Sequence, residues 1–393
     1  MSEAEIVDDE LRDGIDGQED TSGSGGSEKP WDPGKIRITT KAFSLREVVD
    51  QIRSREIDLA PDFQREYVWS ARQRTRLIES ILLGIPLPAF YFNQAFDGTY
   101  QVVDGVQRLS TIALFMGGGH QLQATDLEYL TSLDAAHFDD LDGPASRRFR
   151  TTQIVVHVIE PQTPDEVKFD IFNRVNTLGS PLSSQEVRHA MSRARSREFL
   201  ARLAESPEFD KATEKQYWRT DKASGVRIRD GKRMSDRELV LRFCAFRNFS
   251  VDAYREHESL DAYLNEFTKR IDGVSERNSD FTDEELAQLE TDFKRAMVNA
   301  HAVLGVAAFR RWPLAAPRRG PINRALFEAQ GNALADYDAA KLKGHKEKIQ
   351  SAFRGAFDDA RYLRAVTVGT GDPSNITTRL EITRNLLAEA IAS

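Results

Sequence analysis

The sequence predicts an α+β protein: a mixed sheet module over about residues 35–180, then a mainly α-helical region over 181–393. Three observations carry that reading. Short apolar or alternating segments at 89–93, 99–103 and 153–159 have the length and period of strands. Helix-start signatures stand between them, so helices and strands interleave. Beyond residue 181 the apolar residues recur at helical spacing, with little strand pattern and no internal repeat.

Residues 1–34 hold eleven Asp and Glu against Arg12 and Lys29, a net of −9, while the whole chain carries −8. The remaining 359 residues therefore carry about +1. With its Gly/Ser run TSGSGGSEKP, this segment has too little apolar surface to offset the entropy of ordering. The expectation is a disordered acidic tail over 1–34. It serves solubility, or alternatively mimics nucleic acid in a basic groove.

Lys35–Thr40 alternates like a short strand. Ser44-Leu45-Arg46-Glu47 is a capping-box pattern, and Leu45, Val48, Val49 and Ile52 make one apolar helical face. A second box, Ser70-Ala71-Arg72-Gln73, opens a helix that buries Leu77, Ile78, Ile81 and Leu82 and stops at Gly84 before Pro86. Ala89–Asn93 and Thr99–Val103 are strands joined by a turn at Phe96-Asp97-Gly98. Asp104-Gly105 ends the second strand, and Gln107–Met116 is helical. Residues 117–150 form a polar, irregular or helical insertion, followed by a strand over Gln153–Ile159. Thr163-Pro164-Asp165-Glu166 starts a helix running to about Val175, and Ser183-Ser184-Gln185-Glu186 starts another.

The sharpest candidate for chemistry is Val102-Val103-Asp104-Gly105-Val106-Gln107-Arg108. A strand ends in Asp-Gly and a helix begins, so unpaired N–H groups and the positive dipole end face one point, which suits phosphate. Arg108 adds a forked cation for phosphate oxygens. Gln107 can orient a water or meet a base or ribose edge. Asp104 can hold Mg²⁺, directly or through water, or act as a base. The plain alternative is a tight turn capped by Asp104, with Arg108 a surface charge.

Two further segments qualify. Pro61–Trp69 repeats the Gln-Arg pair as Gln64-Arg65 beside Tyr67 and Trp69, which either stack on a base or pack in the core. Phe172–Gly179 places Arg174 and Asn176 where a helix runs into a loop, at a ligand or as C-terminal capping. Basic clusters at Arg72, Arg74 and Arg76, around the flexible loop GVRIRDGKR with Arg227 and Arg229, and over Arg310–Arg324 fit a nucleic-acid backbone if gathered on one face. Otherwise they are solvated surface.

Other classes recede. The seven histidines form no HExxH or HxxxH pattern, and neither a Walker A loop nor GxSxG is present. The single cysteine, Cys244, allows no intramolecular disulfide and lies in the apolar run LVLRFCAF, as a core thiol does. With no run of about 18 apolar residues and no signal peptide, the setting expected is cytoplasmic, without membrane contact.

Three ordered segments, LAPDFQREYVWSARQRTRLIESILLGIPLPAFYF, VVDGVQRLSTI and FDIFNRVNTLGSPLSSQEVRHAM, resemble the N-terminal domain of GmrSD-type restriction enzymes. KRMSDRELVLRFCAF and PINRALFEA also look like its longer members, so the resemblance spans roughly 40–330. It implies a ParB/sulfiredoxin-like fold. It also implies a nucleotide site at the DGQQR-type motif, here Asp104, Gly105, Gln107 and Arg108, used for NTP binding and hydrolysis in modification-sensing and phage-defence systems. Gln64 and Arg65 match the family's early pair, and Phe172, Arg174 and Asn176 its later motif. The sequence departs at Val106, where the family usually has glutamine: hydrolysis is in doubt if that glutamine meets nucleotide, and unaffected if it faces the core. Many members carry a His-Asn-His nuclease domain. None is evident before Ser393, so a separate nuclease subunit is the expected partner.

The function expected is an NTP-binding and NTP-hydrolysing sensor module of a DNA-modification-dependent restriction or anti-phage system, with Mg²⁺ at Asp104 and DNA as partner. The alternative is a non-catalytic DNA-binding or adaptor protein of the same family. A nuclease with an unrecognised site is a third reading. The residues expected at nucleic acid are Arg72, Arg76, Arg227 and Arg229.

Overall fold

The computed structural model describes residues 36–59, 69–175, 183–221, 225–275 and 277–392. The expectations at Gln64, Arg65 and Asn176, and for the tail, lie outside these residues. The chain folds as two compact units, 29–190 and 191–393.

The first unit is built on a five-stranded mixed sheet: β1 (Ile38–Ser44), β2 (Ile57–Asp58), β3 (Phe90–Gln94), β4 (Tyr100–Asp104) and β5 (Gln153–Ile159). Their order is β1-β5-β3-β4-β2. β1/β5 and β3/β4 are antiparallel, whereas β5/β3 and β4/β2 are parallel. The helices of this unit are α1 (Leu45–Arg53), α2 (Ala71–Leu83), α3 (Val106–Met116), α4 (Gly143–Thr151), α5 (Asp165–Val175) and α6 (Ser184–Met191). One face of the sheet carries Phe43, Phe90, Phe92, Val102, Ile154, Val156 and Val158 into a core with Leu45, Val49, Ile78, Ile81, Leu109, Ile112 and Phe149. β5 shows the period of two plainly: Ile154, Val156 and Val158 are buried, and Val155 between them is 45% exposed.

The local signals act as their residue types require. Ser70 and Gln73 close a full capping box on α2, and Gly84 ends that helix at φ 78°. Ser44 accepts from the Glu47 N–H at the start of α1. The Thr163 hydroxyl bridges both backbone groups of Arg37. β1 runs four residues further than the Lys35–Thr40 pattern, because Ala42, Phe43 and Ser44 pair with Val155, Ile154 and Gln153.

Glu79 pins the insertion that follows α3. It is buried on α2 and accepts N–H groups from Glu128 (2.9 Å), Tyr129 (2.7 Å) and Leu130 (2.8 Å). Burial alone would raise its pKa, but the three N–H donors and Arg76 outweigh it and hold the carboxyl below the usual 4.5. A depressed carboxylate stabilises the fold above its unfolded pKa and loses that contribution as pH falls toward the folded one. Glu79→Gln is therefore expected to cost about 2 kcal/mol at pH 7. Urea titrations between pH 7 and pH 3 should show the gap to wild type closing on the acid side. A constant gap would rule out the carboxylate as its source.

The second unit is mainly helical: α7 (Ala194–Ala204), α8 (Pro207–Ala212), α9 (Ser235–Phe246), α10 (Val251–Arg255), α11 (Leu260–Asp272), α12 (Asp283–Val303), α13 (Arg324–Ala335), α14 (Ala339–Lys343), α15 (Lys346–Gly355), α16 (Ala360–Thr367) and α17 (Pro373–Ala392). It also holds strands where the residue pattern predicts a flexible loop: β6 (Trp218–Thr220) pairs antiparallel with β7 (Arg227–Arg229). Phe243, Phe293 and Phe327 sit in its core. Running through that interior is a buried ion network. Glu328 on α13 takes Arg242 of α9 on one oxygen (2.9 Å) and Arg379 of α17 on the other (3.0 Å), and Arg242 also meets Glu238 (3.0 Å).

Among the described residues, eight non-glycine positions have positive φ, and six of them lie in this unit: Glu214, Lys215, Lys232, Arg233, Met234 and Phe309. Each such conformation costs about 1–2 kcal/mol for an L-residue.

Candidate functional site

The Asp104–Arg108 motif sits where β4 passes into α3. A register shift between Tyr91 and Phe92 pairs Tyr91 with Asp104 while Phe92 pairs with Val102. Irregular pairing of this kind re-aims the end of a strand. Gly105 follows at φ 98°, and a Cβ there would run into the Phe90 ring and approach Arg108 Nη2 to 3.1 Å. Only glycine combines that angle with that closeness.

Gly105 is the N-cap of α3 and supplies no side-chain hydrogen bond; the first helical bond is Leu109 N–H to the Gly105 carbonyl. The N–H groups of Val106, Gln107 and Arg108 thus precede the helical ladder and meet no capping side chain. Asp104 does not cap the helix, contrary to the plain reading of the turn; it pairs with Arg108 at 2.9 Å. Gln107 leaves its side-chain oxygen buried with no hydrogen-bond partner. Val106 is half-buried against the hydrophobic core. The position that departs from the family pattern therefore faces packing.

Arg108 is more enclosed than a surface charge, its side chain 13% exposed. Nη1 donates to the Pro88 carbonyl, and Nη2 to Ala89 (3.2 Å) and Asp104. The guanidinium lies over Phe90, 4.1 Å from the ring centre. Burial lowers its pKa and Asp104 opposes that shift. Three of its five N–H donors are thus engaged by the protein. Sequence spacing gives no sign of Pro88, Ala89 and Phe90 as partners, because the pairing of β3 with β4 brings them there.

Asp104, Gly105, Gln107 and Arg108 come together at one turn. Arg174 is exposed in the last turn of α5, a helix that packs on β4. Arg72 and Arg76 lie on α2, where Arg76 pairs with Glu128 at 2.9 Å and keeps about half of its side chain in solvent. Arg227 is exposed on β7. Arg229 is 9% exposed and bonds Asp210, Asp236 and the Ala204 carbonyl, so it holds its own unit together.

Among the described residues, no group of three or more His, Cys, Asp or Glu could enclose a metal ion. Asp104 belongs to no such group and is 35% exposed. That suits Mg²⁺, which commonly takes one or two carboxylates and completes its shell with water and substrate phosphate. No described helix is long and apolar enough to cross a membrane.

Residues 45–192 match the family described as GmrSD restriction endonuclease, N-terminal domain. No curated protein matches the chain. Among solved structures, it is similar to a Pnob8-like ParB-N domain at 12% identity and a TM-score of 0.21, over 91% of this chain and 99% of that one.

Proposed function

With residues 45–192 matched to a GmrSD N-terminal domain, we propose that the protein binds and hydrolyses a nucleoside triphosphate at the β4–α3 turn. It would do so as the sensing module of a DNA-modification-dependent restriction or anti-phage system. The observation that carries this reading is the start of α3, which no side chain caps and which is flanked by Asp104 and Arg108.

The free N–H groups after Gly105 receive phosphate oxygens, with the helix dipole in support. Arg108, held in place by Pro88, Ala89 and Asp104, turns its remaining N–H groups to the same anion. Gln107, in the first turn of α3, would orient the attacking water or a ribose hydroxyl through its side-chain amide. Asp104 would hold Mg²⁺, which would supply charge neutralisation on the phosphates. Turnover then switches the conformational state of the module and is read by DNA or by a separate nuclease subunit.

The test is phosphate release from GTP, ATP, CTP and UTP with Mg²⁺, with and without modified DNA. Asp104→Asn is expected to lower turnover about 100-fold, since it removes the carboxylate that would hold the metal ion and with it part of the charge stabilisation on the phosphates. Arg108→Ala should abolish it, but that change also opens the start of β3, so Asp104→Asn is the cleaner variant. No NTP binding at millimolar concentration would overturn the proposal.

A second reading draws on the engagement of Arg108 by two carbonyls and Asp104. In it the turn is structural, and the protein is a non-catalytic DNA-binding adaptor. NTP-independent, salt-sensitive DNA retention would favour it.

A further inference from the structure

We infer that the helical unit carries a docking surface for duplex DNA, built on strands β6 and β7 and the turns at 214–217, 230–234 and 309–320. This goes beyond the nucleotide reading and does not rest on it. Charge is partitioned between the units: residues 191–393 hold 35 Lys and Arg against 31 Asp and Glu, whereas 29–190 hold 18 against 21. The excess is concentrated. From 293 to 327 there is no carboxylate side chain, while Lys294, Arg295, Arg310, Arg311, Arg318, Arg319 and Arg324 fall within that stretch.

The fold joins this stretch to the hairpin. Arg310 donates to Gln216 at 2.8 Å, and Arg319 pairs with Glu214, so the 309–320 corner is bonded to the turn that feeds β6. Asp230, just after β7, donates its N–H to the Tyr217 carbonyl at 2.8 Å, which brings the 232–234 turn to the same end. Lys215, Arg227, Arg233, Arg311, Arg318 and Arg319 are all exposed on these segments. The six positive-φ residues of the unit lie here too, in the same turns. Backbone held in such conformations is retained where the surrounding structure, and often function, requires it.

The chemistry favours duplex DNA over other polyanions. Five of those six exposed cations are arginines, whose planar forks match phosphate oxygens better than lysine does. A two-stranded ribbon is also one of the shapes that the major groove admits. Arg229 braces the hairpin through Asp210, while Arg227, two residues earlier on the same strand, is exposed.

The experiment uses the full chain, a short DNA duplex of arbitrary sequence, no nucleotide, and a salt titration. Arg227→Gln/Arg311→Gln is compared with Arg72→Gln/Arg76→Gln, after thermal melts show both variants folded like wild type. Arg311→Gln/Arg318→Gln is the reserve should the first variant melt early. The hairpin-side pair is expected to weaken binding at least tenfold and to flatten the log K against log salt slope by about 2, near 0.9 for each phosphate that the variant no longer neutralises. The α2 pair is expected to leave both unchanged. Loss confined to the α2 pair, no DNA retention at low salt, or equal retention of polyglutamate would each overturn the assignment. Absence of NTP binding in the same preparation would touch only the nucleotide reading.

Discussion

Glu328→Gln is expected to destabilise the helical unit by about 3–5 kcal/mol, the scale of breaking a buried ion pair from one side. Glu328 is fully buried and takes Arg242 and Arg379 on its two oxygens, and both arginines are themselves buried. A glutamine keeps the shape but offers one acceptor where two were used, and it turns an NH₂ group toward a guanidinium. Arg242 keeps Glu238, which is also 3.2 Å from Arg324. Arg379 keeps the Thr370 carbonyl at 2.7 Å, which satisfies a donor but not the charge. For a unit of this size the loss corresponds to a fall of about 10 °C in melting temperature. Calorimetry is the measurement, and a change below about 1 kcal/mol would show that the arginines are satisfied without Glu328. A contrasting variant sharpens the point. Arg242→Met/Glu328→Leu/Arg379→Met removes the three fully buried charges and leaves Glu238 to Arg324, and it is expected to be far less damaging than the single change.

The second large effect is at Gly105. Gly105→Ala meets two obstacles at once: a backbone angle of φ 98° that an L-residue adopts only under strain, and the Phe90 ring where the new methyl would sit. Strain of about 1–2 kcal/mol adds to overpacking of about 1–3 kcal/mol, for a loss near 3 kcal/mol in the sheet unit. Phe90 cannot step aside cheaply, since Arg108 lies on it and is fixed in turn by Pro88, Ala89 and Asp104. The change should therefore also displace Arg108 and, under the proposed function, reduce NTP affinity. Pairing it with Phe90→Leu separates the two contributions by a double-mutant cycle. Recovery of about half the loss is expected if the ring is responsible. No recovery would place the whole cost in the backbone.

Much of this arrangement is legible locally. The Ser70–Gln73 box, Gly84 and the alternation of Gln153–Ile159 are short-range signals, and each appears in the fold where its residues place it. The Asp104-Gly105 turn is likewise readable, because a strand pattern stops and a helical one starts around it. What the sequence hides is whatever depends on pairing between distant segments. The Arg108 clamp needs β3 beside β4, and nothing in the spacing of Pro88 and Arg108 announces it. β2 is two residues long and exists only through its parallel pairing with β4. β6 and β7 escape notice because Trp-Arg-Thr and Arg-Ile-Arg are short and charged, with too little alternation to stand apart from a loop. The pairing of Arg229 with Asp210 is hidden for the same reason: it follows from the hairpin, which the residue pattern does not disclose.

Cys244 has a practical consequence. It is the chain's only cysteine, it is buried, and burial pushes its thiol well above the ordinary range, so its reactive thiolate is scarce. Alkylating probes should therefore leave the folded wild-type protein almost unmodified. A cysteine introduced at Phe96, which is 80% exposed between β3 and β4, would be the only thiol a maleimide reaches quickly. Fluorophores or spin labels can then report on this molecule against its native background, with no cysteine-free version to prepare first.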